Sequence, residues 1–314
     1  MNFELEGKRV YVAGHRGMVG SALVRRLARE NCELVTVGRE TVDLRDQQAV
    51  YRWFDEHRPD AVFLAAARVG GIYANATQPA DFLYDNLAIA TNLIEAARRV
   101  GVAKLMFFAS NCAYPRLAPQ PMPESCLLTG PLEPTNEWYA VAKIAGIKLC
   151  QAYRRQHGCD FVSVIPANLY GPGDNFDPVT SHVLAALIVK IDDAVRQGRD
   201  TVELWGTGQP RREFMHVDDL ADAAVFLMRH WSDETPINIG AGGDLSIAEL
   251  AQLIAQIVGF KGRVVYDPTK ADGMPRKLLD ATRFDALGWR PRTDLATGIR
   301  RTWEYYLEAR QPGR

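Results

Sequence analysis

Short apolar runs alternate with helical apolar spacing along the first half of the chain. The runs are rich in β-branched and aromatic residues and have the length of strands; they lie at 9–13, 33–37, 61–66, 104–109 and 161–168. Apolar residues at helical spacing lie between them and predict helices over 18–29, 81–100 and 137–157. Strands that alternate with helices are typical of βαβ units and a parallel sheet.

The pattern loosens after residue 170. Residues 170–182 (YGPGDNFDPVTSH) are rich in Gly, Pro, Asp and Asn and predict a loop. Apolar helices are expected near 182–197, 217–230 and 246–258. We therefore predict a doubly wound parallel sheet of the Rossmann type, mainly in residues 1–170. A smaller mixed α/β substrate domain should occupy mainly 171–314, with some segments returning to the first domain.

Composition narrows the functional classes without choosing among them. The 314 residues allow about two domains. A formal net charge of −1 gives no long-range field that would recruit nucleic acid or an anionic membrane. Five cysteines, an odd number without any Cys-x-x-Cys pair, indicate neither a disulfide framework nor a zinc site. We expect an untargeted cytoplasmic protein with no metal.

A glycine-rich turn follows the first predicted strand and opens the first predicted helix. It reads GHRGMVG, with glycines at 14, 17 and 20. Glycines in this context allow a tight turn and a close approach of the backbone to a pyrophosphate at a helix N-terminus. The spacing is G-x-x-G-x-x-G, so the strand–turn–helix context carries the prediction. The expected dinucleotide contacts are Gly14, Arg16, Gly17, Met18, Val19 and Gly20.

Arginines stand where NAD-binding proteins place an acid. The second predicted strand ends Val37-Gly38-Arg39, and Arg16 lies inside the glycine turn. An acid at that strand tip would hold the ribose 2′-hydroxyl of NAD, whereas arginine suits a 2′-phosphate. We therefore predict NADP(H). Either arginine could instead be an ordinary solvated residue, and the neighbouring Glu40 opposes the assignment.

Tyr139 and Lys143 are four residues apart on a predicted helix and so share a face. A free phenol has a pKa of about 10. A neighbouring ammonium is expected to lower that pKa by favouring the phenolate. Ser110, at the end of the strand 104–109, could hydrogen-bond the same substrate oxygen. Tyr-x-x-x-Lys occurs often by chance, and a core role for Tyr139 is the alternative; the glycine turn and the strand-tip serine favour catalysis.

With these motifs the chain resembles the extended short-chain dehydrogenase/reductase family. The resemblance is carried by GHRGMVG, FLAA at 63–66, Ser110, YAVAK at 139–143 and NLYGP at 168–172. Longer segments are similar to the branch that makes GDP-L-fucose from GDP-4-keto-6-deoxy-D-mannose. These segments are GHRGMVGSA, LAAARVGGIYAN, LEPTNEWYAVAKIAGIKLC, NLYGPGDNF, REFMHVDDLA and DGMPRKLLD, which together span residues 14–280.

The resemblance implies an NADPH-dependent 3,5-epimerase/4-reductase that acts on a GDP-linked 4-keto-6-deoxy sugar. It implies that Cys112 and His182 perform the epimerisations beside Ser110, Tyr139 and Lys143. Further implied cofactor contacts are Leu64, Ala65, Ala66, Pro166, Asn168, Leu169 and His182, in addition to Tyr139 and Lys143. Implied substrate contacts are Asn168, Val183, Lys190, Trp205, Arg212 and Lys277. A homodimer formed through helices 82–100 and 137–157 is also implied, with Leu87 and Ile147 as interface or core residues.

Some positions depart from that pattern and keep alternatives open. Asn111 stands where a serine is usual, Ala185 where a proline is common, and Lys190 where an arginine is usual. Lysine supplies charge but not the bidentate fork of arginine. The alternatives are a related epimerase/reductase for another GDP-4-keto sugar, of the colitose or 6-deoxy-heptose type, and a non-catalytic NADP-binding regulator. An inert core thiol at Cys112 and a helix-start histidine without chemistry at His182 are the structural alternatives.

Overall fold

The computed structural model describes residues 2–177, 180–270 and 272–310. Its strands are β1 (Arg9–Ala13), β2 (Glu33–Val35), β3 (Ala61–Leu64), β4 (Lys104–Phe108), β5 (Asp160–Pro166), β6 (Asn168–Tyr170), β7 (Thr201–Trp205), β8 (Arg211–Arg212), β9 (Phe214–His216), β10 (Ile237–Ile239), β11 (Leu245–Ser246), β12 (Arg263–Asp267) and β13 (Arg276–Lys277).

The α-helices alternate with these strands over most of the chain. They are α1 (Met18–Leu27), α2 (Gln47–His57), α3 (Ile72–Thr77), α4 (Pro79–Val100), α5 (Glu137–His157), α6 (Val183–Arg196), α7 (Val217–His230), α8 (Ile247–Val258), α9 (Thr282–Asp285) and α10 (Leu295–Ala309). Two short 3₁₀ turns, Asn111–Ala113 and Glu124–Cys126, follow β4. None of the helices in the described ranges combines the length and hydropathy needed to cross a bilayer.

Six parallel strands form the central sheet, in the order β10-β5-β4-β3-β1-β2. The predicted α/β class is therefore confirmed. The order reverses between β1 and β3, which is where ligands bind in open sheets of this kind. Strand β10 comes from the second half of the chain and pairs with β5, with Ile237 opposite Val164. A segment from the second half of the chain thus joins the sheet of the first half, and the expected division into two domains stays a prediction.

The strands of this sheet are buried on both faces because helices cover each side. Every residue of β3 and of β4 is buried, and β1 is buried from Val10 onward. A strand buried on both faces needs a continuous apolar run, which explains why these segments do not alternate with polar residues. Helices α4 and α5 pack against one another along their length. Gly146 of α5 leaves room for the Phe107 ring, since a Cβ there would lie 2.3 Å from it.

A second apolar cluster lies in the C-terminal half. It is built from one face each of α6, α8 and α10 and from β7, which pairs in parallel with β12. Its fully buried members include Leu184, Ile188, Leu250 and Ile254. Helix α7 belongs instead to the cluster around the main sheet. Segments from both sides of residue 170 thus contribute to the cluster around the main sheet, and the second cluster is built from residue 170 onward.

The pattern of apolar residues did not predict helices α2 and α10. Both are amphipathic but strongly polar, and α2 buries only Val50, Trp53 and Phe54. Each is started by an aspartate whose side chain accepts from the third helical N–H: Asp46 in α2 and Asp294 in α10. An N-cap of this kind stabilises a helix by about 1 kcal/mol, a signal that apolar spacing does not contain.

The outer faces of α4 and α5 carry exposed aromatic and aliphatic residues. Tyr84 is 67% exposed, Trp138 43% and Val141 41%. Leu87 is partly buried, whereas Ile147 is completely enclosed in the core of this chain. Ile147 is therefore a core residue, and its alternative assignment to a subunit interface is wrong.

Asn238 of β10 ties the loop after β4 to the strand that ends in Lys277. Its side-chain amide donates to the carbonyls of Met122 (2.9 Å) and Asp280 (3.0 Å), and its Oδ1 accepts from the Tyr114 hydroxyl (2.6 Å). Its backbone N–H donates to the Glu124 carboxylate (3.0 Å). Asn238 is fully buried, so its polar atoms are satisfied by these bonds rather than by water. The Met122 carbonyl has a second donor, the backbone N–H of Asp280 at 3.0 Å.

Asn238→Leu should therefore lower the free energy of unfolding by about 2 kcal/mol or more, because the Asp280 carbonyl and the Tyr114 phenol lose a partner at about 1–3 kcal/mol each. Tyr114→Phe is the matched control and should cost about 1 kcal/mol, since it removes a single bond. Urea denaturation measures both values. Equal losses in the two variants would show that Asn238 does not hold the two segments together.

Candidate active site

One large cavity opens at the carboxyl ends of the central strands. Its volume is about 1070 Å³, and both halves of the chain line it. Loops after β1, β3, β4 and β5 form one wall, and residues of α6, β7, β8 and β13 form the other. Parallel strands bring their carboxyl ends to one edge, so residues distant in sequence meet there.

The glycine turn is packed too tightly for other residues. Gly14 has φ of 83°, and a Cβ on it would lie 2.7 Å from the Cα atom of Ala66. A Cβ on Gly20 would lie 2.0 Å from the Gly14 carbonyl oxygen. Gly17 starts α1 with no side-chain acceptor on the helix N–H groups, and the first turn contains no acid. The helix N-terminus is thus open toward the cavity for an anion.

The two arginines at the far end of this wall differ in their partners. Arg16 makes a double hydrogen bond with Glu40: Nη1 to Oε2 at 2.9 Å and Nη2 to Oε1 at 2.5 Å. Arg39 is 73% exposed, with its Nε 3.6 Å from an oxygen of Asp43. Glu40 therefore competes with a ligand for the guanidinium of Arg16, as expected from its position next to Arg39 in the sequence. Arg39 remains free to turn toward a ligand.

Ser110, Tyr139 and Lys143 meet below the end of β4. Tyr139 and Lys143 share one face of α5, and Ser110 hydrogen-bonds the Tyr139 phenol. The Lys143 ammonium donates to the carbonyl oxygen of Phe108 at 2.9 Å and lies 5.6 Å from the centre of the Tyr139 ring. Burial lowers the pKa of Lys143 to about 8.

The expected lowering of the phenol pKa is wrong for this structure. Burial raises the pKa of Tyr139, and the nearby Cys112 adds to the increase, against a smaller opposing effect of the hydrogen bond from Ser110. The Lys143 ammonium does not reverse this because it points to a backbone carbonyl. Tyr139 is therefore held as a neutral phenol, which is the form that can donate a proton.

Cys112 lies on the short 3₁₀ turn that follows β4. Ser110 caps this turn by accepting from the Cys112 N–H at 3.2 Å. Two nitrogens point at the sulfur: Nζ of Lys277 at 3.3 Å and Nδ2 of Asn136 at 3.4 Å. Cys112 therefore lies in a polar setting rather than in an apolar core. The inert-thiol alternative does not fit these contacts.

His182 precedes α6 on the opposite wall of the cavity. The residue is solvent-exposed and lines the cavity. Desolvation lowers its pKa, and the charge of Lys277 lowers it further. The imidazole is thus kept largely neutral near pH 7, and any proton placed on it is readily released.

The far wall gathers positive and aromatic groups. Lys190 lies with its ammonium 5.2 Å from the centre of the Trp205 ring, and Trp205 is 57% exposed. Arg212 donates from Nη1 to the carbonyl of Arg211 at 2.8 Å. Within the described ranges no carboxylate is within ion-pair distance of Arg212. This wall offers cationic groups and a ring face to an anionic, aromatic ligand.

The cavity brings together all but one of the residues expected at the site. Leu64 is the exception: it lies inside β3, fully enclosed, and does not reach the cavity. The side-chain pattern of a strand could have excluded it. The expected residues that line the cavity are Gly14, Arg16, Gly17, Met18, Val19, Gly20, Arg39, Ala65, Ala66, Ser110, Cys112, Tyr139, Lys143, Pro166, Asn168, Leu169, His182, Val183, Lys190, Trp205, Arg212 and Lys277.

Several polar residues of the cavity were not singled out from the sequence. They include Glu133, Asn136, Asp174 and Asp272. Burial raises the pKa of Asp174 to about 7, and its Oδ2 has no partner. Asp174 and Asn136 lie within the NLYGPGDNF and LEPTNEWYAVAK segments, so their position beside known motifs was the available signal.

A family model matches residues 10–240 of this chain, which is more than half of its length: the model of the NAD dependent epimerase/dehydratase family. The chain belongs to the NAD dependent epimerase/dehydratase family.

Individual relatives extend this likeness over nearly the whole chain. It is 52% identical over 303 residues to a GDP-L-fucose synthase of Sinorhizobium fredii, covering 96% of each chain. A solved GDP-6-OMe-4-keto-L-xylo-heptose reductase of Campylobacter jejuni superposes with a TM-score of 0.91 at 36% identity, covering 98% of this chain and 100% of that one. A solved GDP-L-fucose synthetase of Naegleria fowleri bound to NADP gives a TM-score of 0.89 at 30% identity, covering 98% and 95%.

The glycine turn and the adjoining cavity fit the dinucleotide that the family name implies. An uncapped helix N-terminus, a turn that admits no Cβ at Gly14 or Gly20, and the cationic Arg39 lie along one wall. Lys143 and Tyr139 stand where that wall reaches the second half of the cavity. In the NAD dependent epimerase/dehydratase family, this is the arrangement that a bound nicotinamide dinucleotide requires.

Proposed function

We propose that this chain converts GDP-4-keto-6-deoxy-D-mannose to GDP-L-fucose with NADPH, by epimerisation at C3 and C5 followed by reduction of the C4 ketone. The observation that carries the proposal is a single cavity that combines a Ser110–Tyr139–Lys143 group with a polar Cys112 thiol and His182. The 52% identity to a GDP-L-fucose synthase over nearly the whole chain supports the same substrate.

The reduction depends on the neutral phenol of Tyr139. NADPH, when bound, supplies the hydride for the ketone. Tyr139 donates its proton to the C4 oxygen, and Ser110, which already contacts the phenol, donates a hydrogen bond to the same oxygen. Lys143 is anchored to the Phe108 carbonyl and presents its remaining N–H groups toward the cofactor side of the cavity.

The epimerisations use the acidity of carbons next to a ketone. Cys112 takes a proton from C3 or C5: the C–H bond breaks, an S–H bond forms, and the electron pair moves to the C4 oxygen as an enolate. Ser110 and Tyr139 stabilise that oxygen by hydrogen bonding. His182 returns a proton to the opposite face of the carbon. A positioned acid or base contributes about 10²–10⁴-fold to such a step.

The nucleotide half of the substrate would lie along the far wall. Arg212 and Lys190 supply positive charge for the diphosphate, and Trp205 offers its ring to the base. Asn168 and Val183 line the cavity between this wall and the reacting centre. In this proposal the first 170 residues mainly bind NADPH and the remainder mainly bind the GDP-sugar.

Another GDP-4-keto sugar is the second candidate substrate. The observation that favours it is the close superposition on the Campylobacter jejuni heptose reductase, at 36% identity. The lysine at position 190 and the asparagine at 111 both line the cavity and distinguish this pocket from the expected pattern. Comparing GDP-4-keto-6-deoxy-mannose with the heptose analogue as substrates, by NMR of the products, decides between the two.

We further propose a homodimer built on the exposed faces of α4 and α5, and the cytoplasm as the compartment. Tyr84, Trp138 and Val141 expose apolar surface on those helices, which is typical of a contact face. All five cysteines are free, as suits a reducing compartment. Sedimentation showing a monomer at micromolar concentration would contradict the dimer, and cell fractionation checks the compartment.

The preference for NADPH should depend on Arg39. Arg39→Ala should weaken NADPH binding by about ten- to a hundredfold and NADH binding little, because a charge-assisted bond to the 2′-phosphate is worth about 1.5–3 kcal/mol. Fluorescence titration of each cofactor measures this. Arg199→Ala, an exposed arginine outside the cavity, is the control. Equal losses for both cofactors would remove Arg39 from the 2′-phosphate site.

The two chemistries should separate by mutation. In deuterated water, the unmodified protein should wash label into C3 and C5 of the keto sugar, and Cys112→Ala should not, because the base is gone. Tyr139→Phe should keep some exchange but lose most NADPH oxidation, because the proton donor for reduction is missing. NMR and absorbance at the nicotinamide band measure these effects. Normal exchange in Cys112→Ala would refute the assigned base.

A further inference from the structure

Lys277 is a buried cation whose one hydrogen-bond partner among the described residues is a thiol. Its side chain is 7% exposed, and its ammonium lies 3.3 Å from the sulfur of Cys112. In the described ranges no carboxylate lies within ion-pair distance of it. A buried ammonium without an anion is costly. A negative charge on the sulfur of Cys112 would therefore stabilise the ammonium of Lys277.

A second donor converges on the same sulfur. The side-chain amide of Asn136, at the start of α5, lies 3.4 Å from it. A thiolate accepts both hydrogen bonds, whereas a neutral thiol is a weak acceptor and carries a hydrogen of its own. Charge-assisted bonds of this kind are about twice as strong as neutral ones. The pair of donors favours the ionised form of Cys112, against the side-chain oxygen of Asn111, which lies 3.9 Å from the sulfur and can accept the hydrogen of a thiol.

We propose that Lys277 is a positioning residue that keeps Cys112 as a thiolate before substrate binds. The inference rests on the proposed function in that Cys112 is the epimerisation base, and it gives Lys277 a role other than contact with the diphosphate. When the thiolate takes a proton from the carbon next to the ketone, the S–H bond forms and the negative charge moves to the enolate oxygen. The ammonium remains charged throughout.

Other charged groups around the sulfur act in both directions. Arg212 on β8 interacts favourably with a charged Cys112, and its strand is the direct neighbour of the strand of Lys277. Tyr139 faces the thiol from α5 as a neutral phenol. Glu133 opposes a thiolate but is paired with Arg116 at 3.3 Å. Desolvation lowers the pKa of His182, and the charge of the Lys277 ammonium lowers it further. Lys277 therefore favours both an ionised base and an acid that releases its proton readily.

The neighbouring Arg212 explains why the diphosphate does not require Lys277. Lys277 and Arg212 are paired in register on adjacent parallel strands. Arg212 has a planar guanidinium, which suits a diphosphate better than an ammonium does. The two cations can therefore divide the work: Arg212 for the phosphates and Lys277 for the sulfur.

The decisive experiment measures the reactivity of Cys112 without any substrate. Iodoacetamide alkylates thiolates, and mass spectrometry of the Cys112 peptide follows its rate from pH 6 to pH 10. An opposite charge within about 4–6 Å favours the ionised form by about tenfold or more. Lys277→Met should therefore slow alkylation of Cys112 about tenfold or more at pH 7, with the difference vanishing at pH 10. Lys148→Met, which removes an exposed lysine outside the cavity, should leave the rate unchanged.

A conservative variant and a second readout separate positioning from simple structural loss. Lys277→Arg keeps a cation and should recover most of the alkylation rate. In deuterated water without NADPH, Lys277→Met should exchange label into the keto sugar slowly at pH 7 and recover as the pH rises, while its affinity for GDP stays within about twofold. Unchanged alkylation together with weaker GDP binding would overturn the proposal and return Lys277 to the diphosphate.

The remaining outcomes also decide. If Lys277→Met does not fold, the unmodified protein is tested alone: alkylation of Cys112 at pH 7 no faster than that of a free cysteine peptide would refute the thiolate. If Lys277→Met slows alkylation as expected but the unmodified protein exchanges label into no keto sugar, the lysine–thiolate pair stands and the proposed function is refuted. If label exchange occurs at the same rate with and without Lys277, the proposed function stands and the role of Lys277 is refuted.

Discussion

The parallel sheet imposes the constraint on which the rest of the structure depends. Its strands are covered by helices on both faces, so their residues are mostly apolar, and the strands contribute polar groups to the cavity mainly from the loops at their ends. Because the strands are parallel, those ends share one edge. The glycine turn after β1, Ser110 and Cys112 after β4, and Asn168 after β5 meet in one cavity for this reason.

Within that cavity, burial and charge give neighbouring reactive groups different surroundings. Tyr139 is desolvated and has no cation directed at its oxygen, so it keeps its proton. The sulfur of Cys112 lies in the same cavity and accepts hydrogen bonds from the ammonium of Lys277 and the side-chain amide of Asn136. The proposed reduction uses the proton of Tyr139, and the proposed epimerisation uses the sulfur of Cys112. The two buried lysines of the cavity, Lys143 and Lys277, point to different acceptors.

The buried cations also show how the fold holds its parts in register. Lys104, Lys143 and Lys277 are all nearly inaccessible, and each is directed to a specific acceptor: the Trp231 and Phe108 carbonyls and the Cys112 sulfur. Leaving any of these ammonium groups without its acceptor would be costly. Together with the Asn238 bonds between distant loops, such contacts fix the second half of the chain against the sheet.

Local information in the sequence was sufficient for the α/β class, the glycine turn and five of the six strands of the main sheet, and nearly all of the residues that it singled out line the cavity. Apolar runs and helical spacing are properties of neighbouring residues, and motifs such as YAVAK lie within single elements. Local patterns were insufficient for α2 and α10, which are polar helices started by aspartate caps, and for Ile147, whose apolar face could belong to a core or to an interface.

Only the tertiary structure decided the state of the reacting groups. The contact between Lys277 and Cys112 joins residues 165 positions apart, and the ion pair of Arg16 with Glu40 depends on how two loops meet. The pKa of Tyr139 is raised by burial, which involves many elements of the fold. Lys143 is only four residues away, but its ammonium donates to the Phe108 carbonyl and does not lower that pKa. Protonation depends on desolvation and on distances between charges, and both are fixed only when the chain has folded.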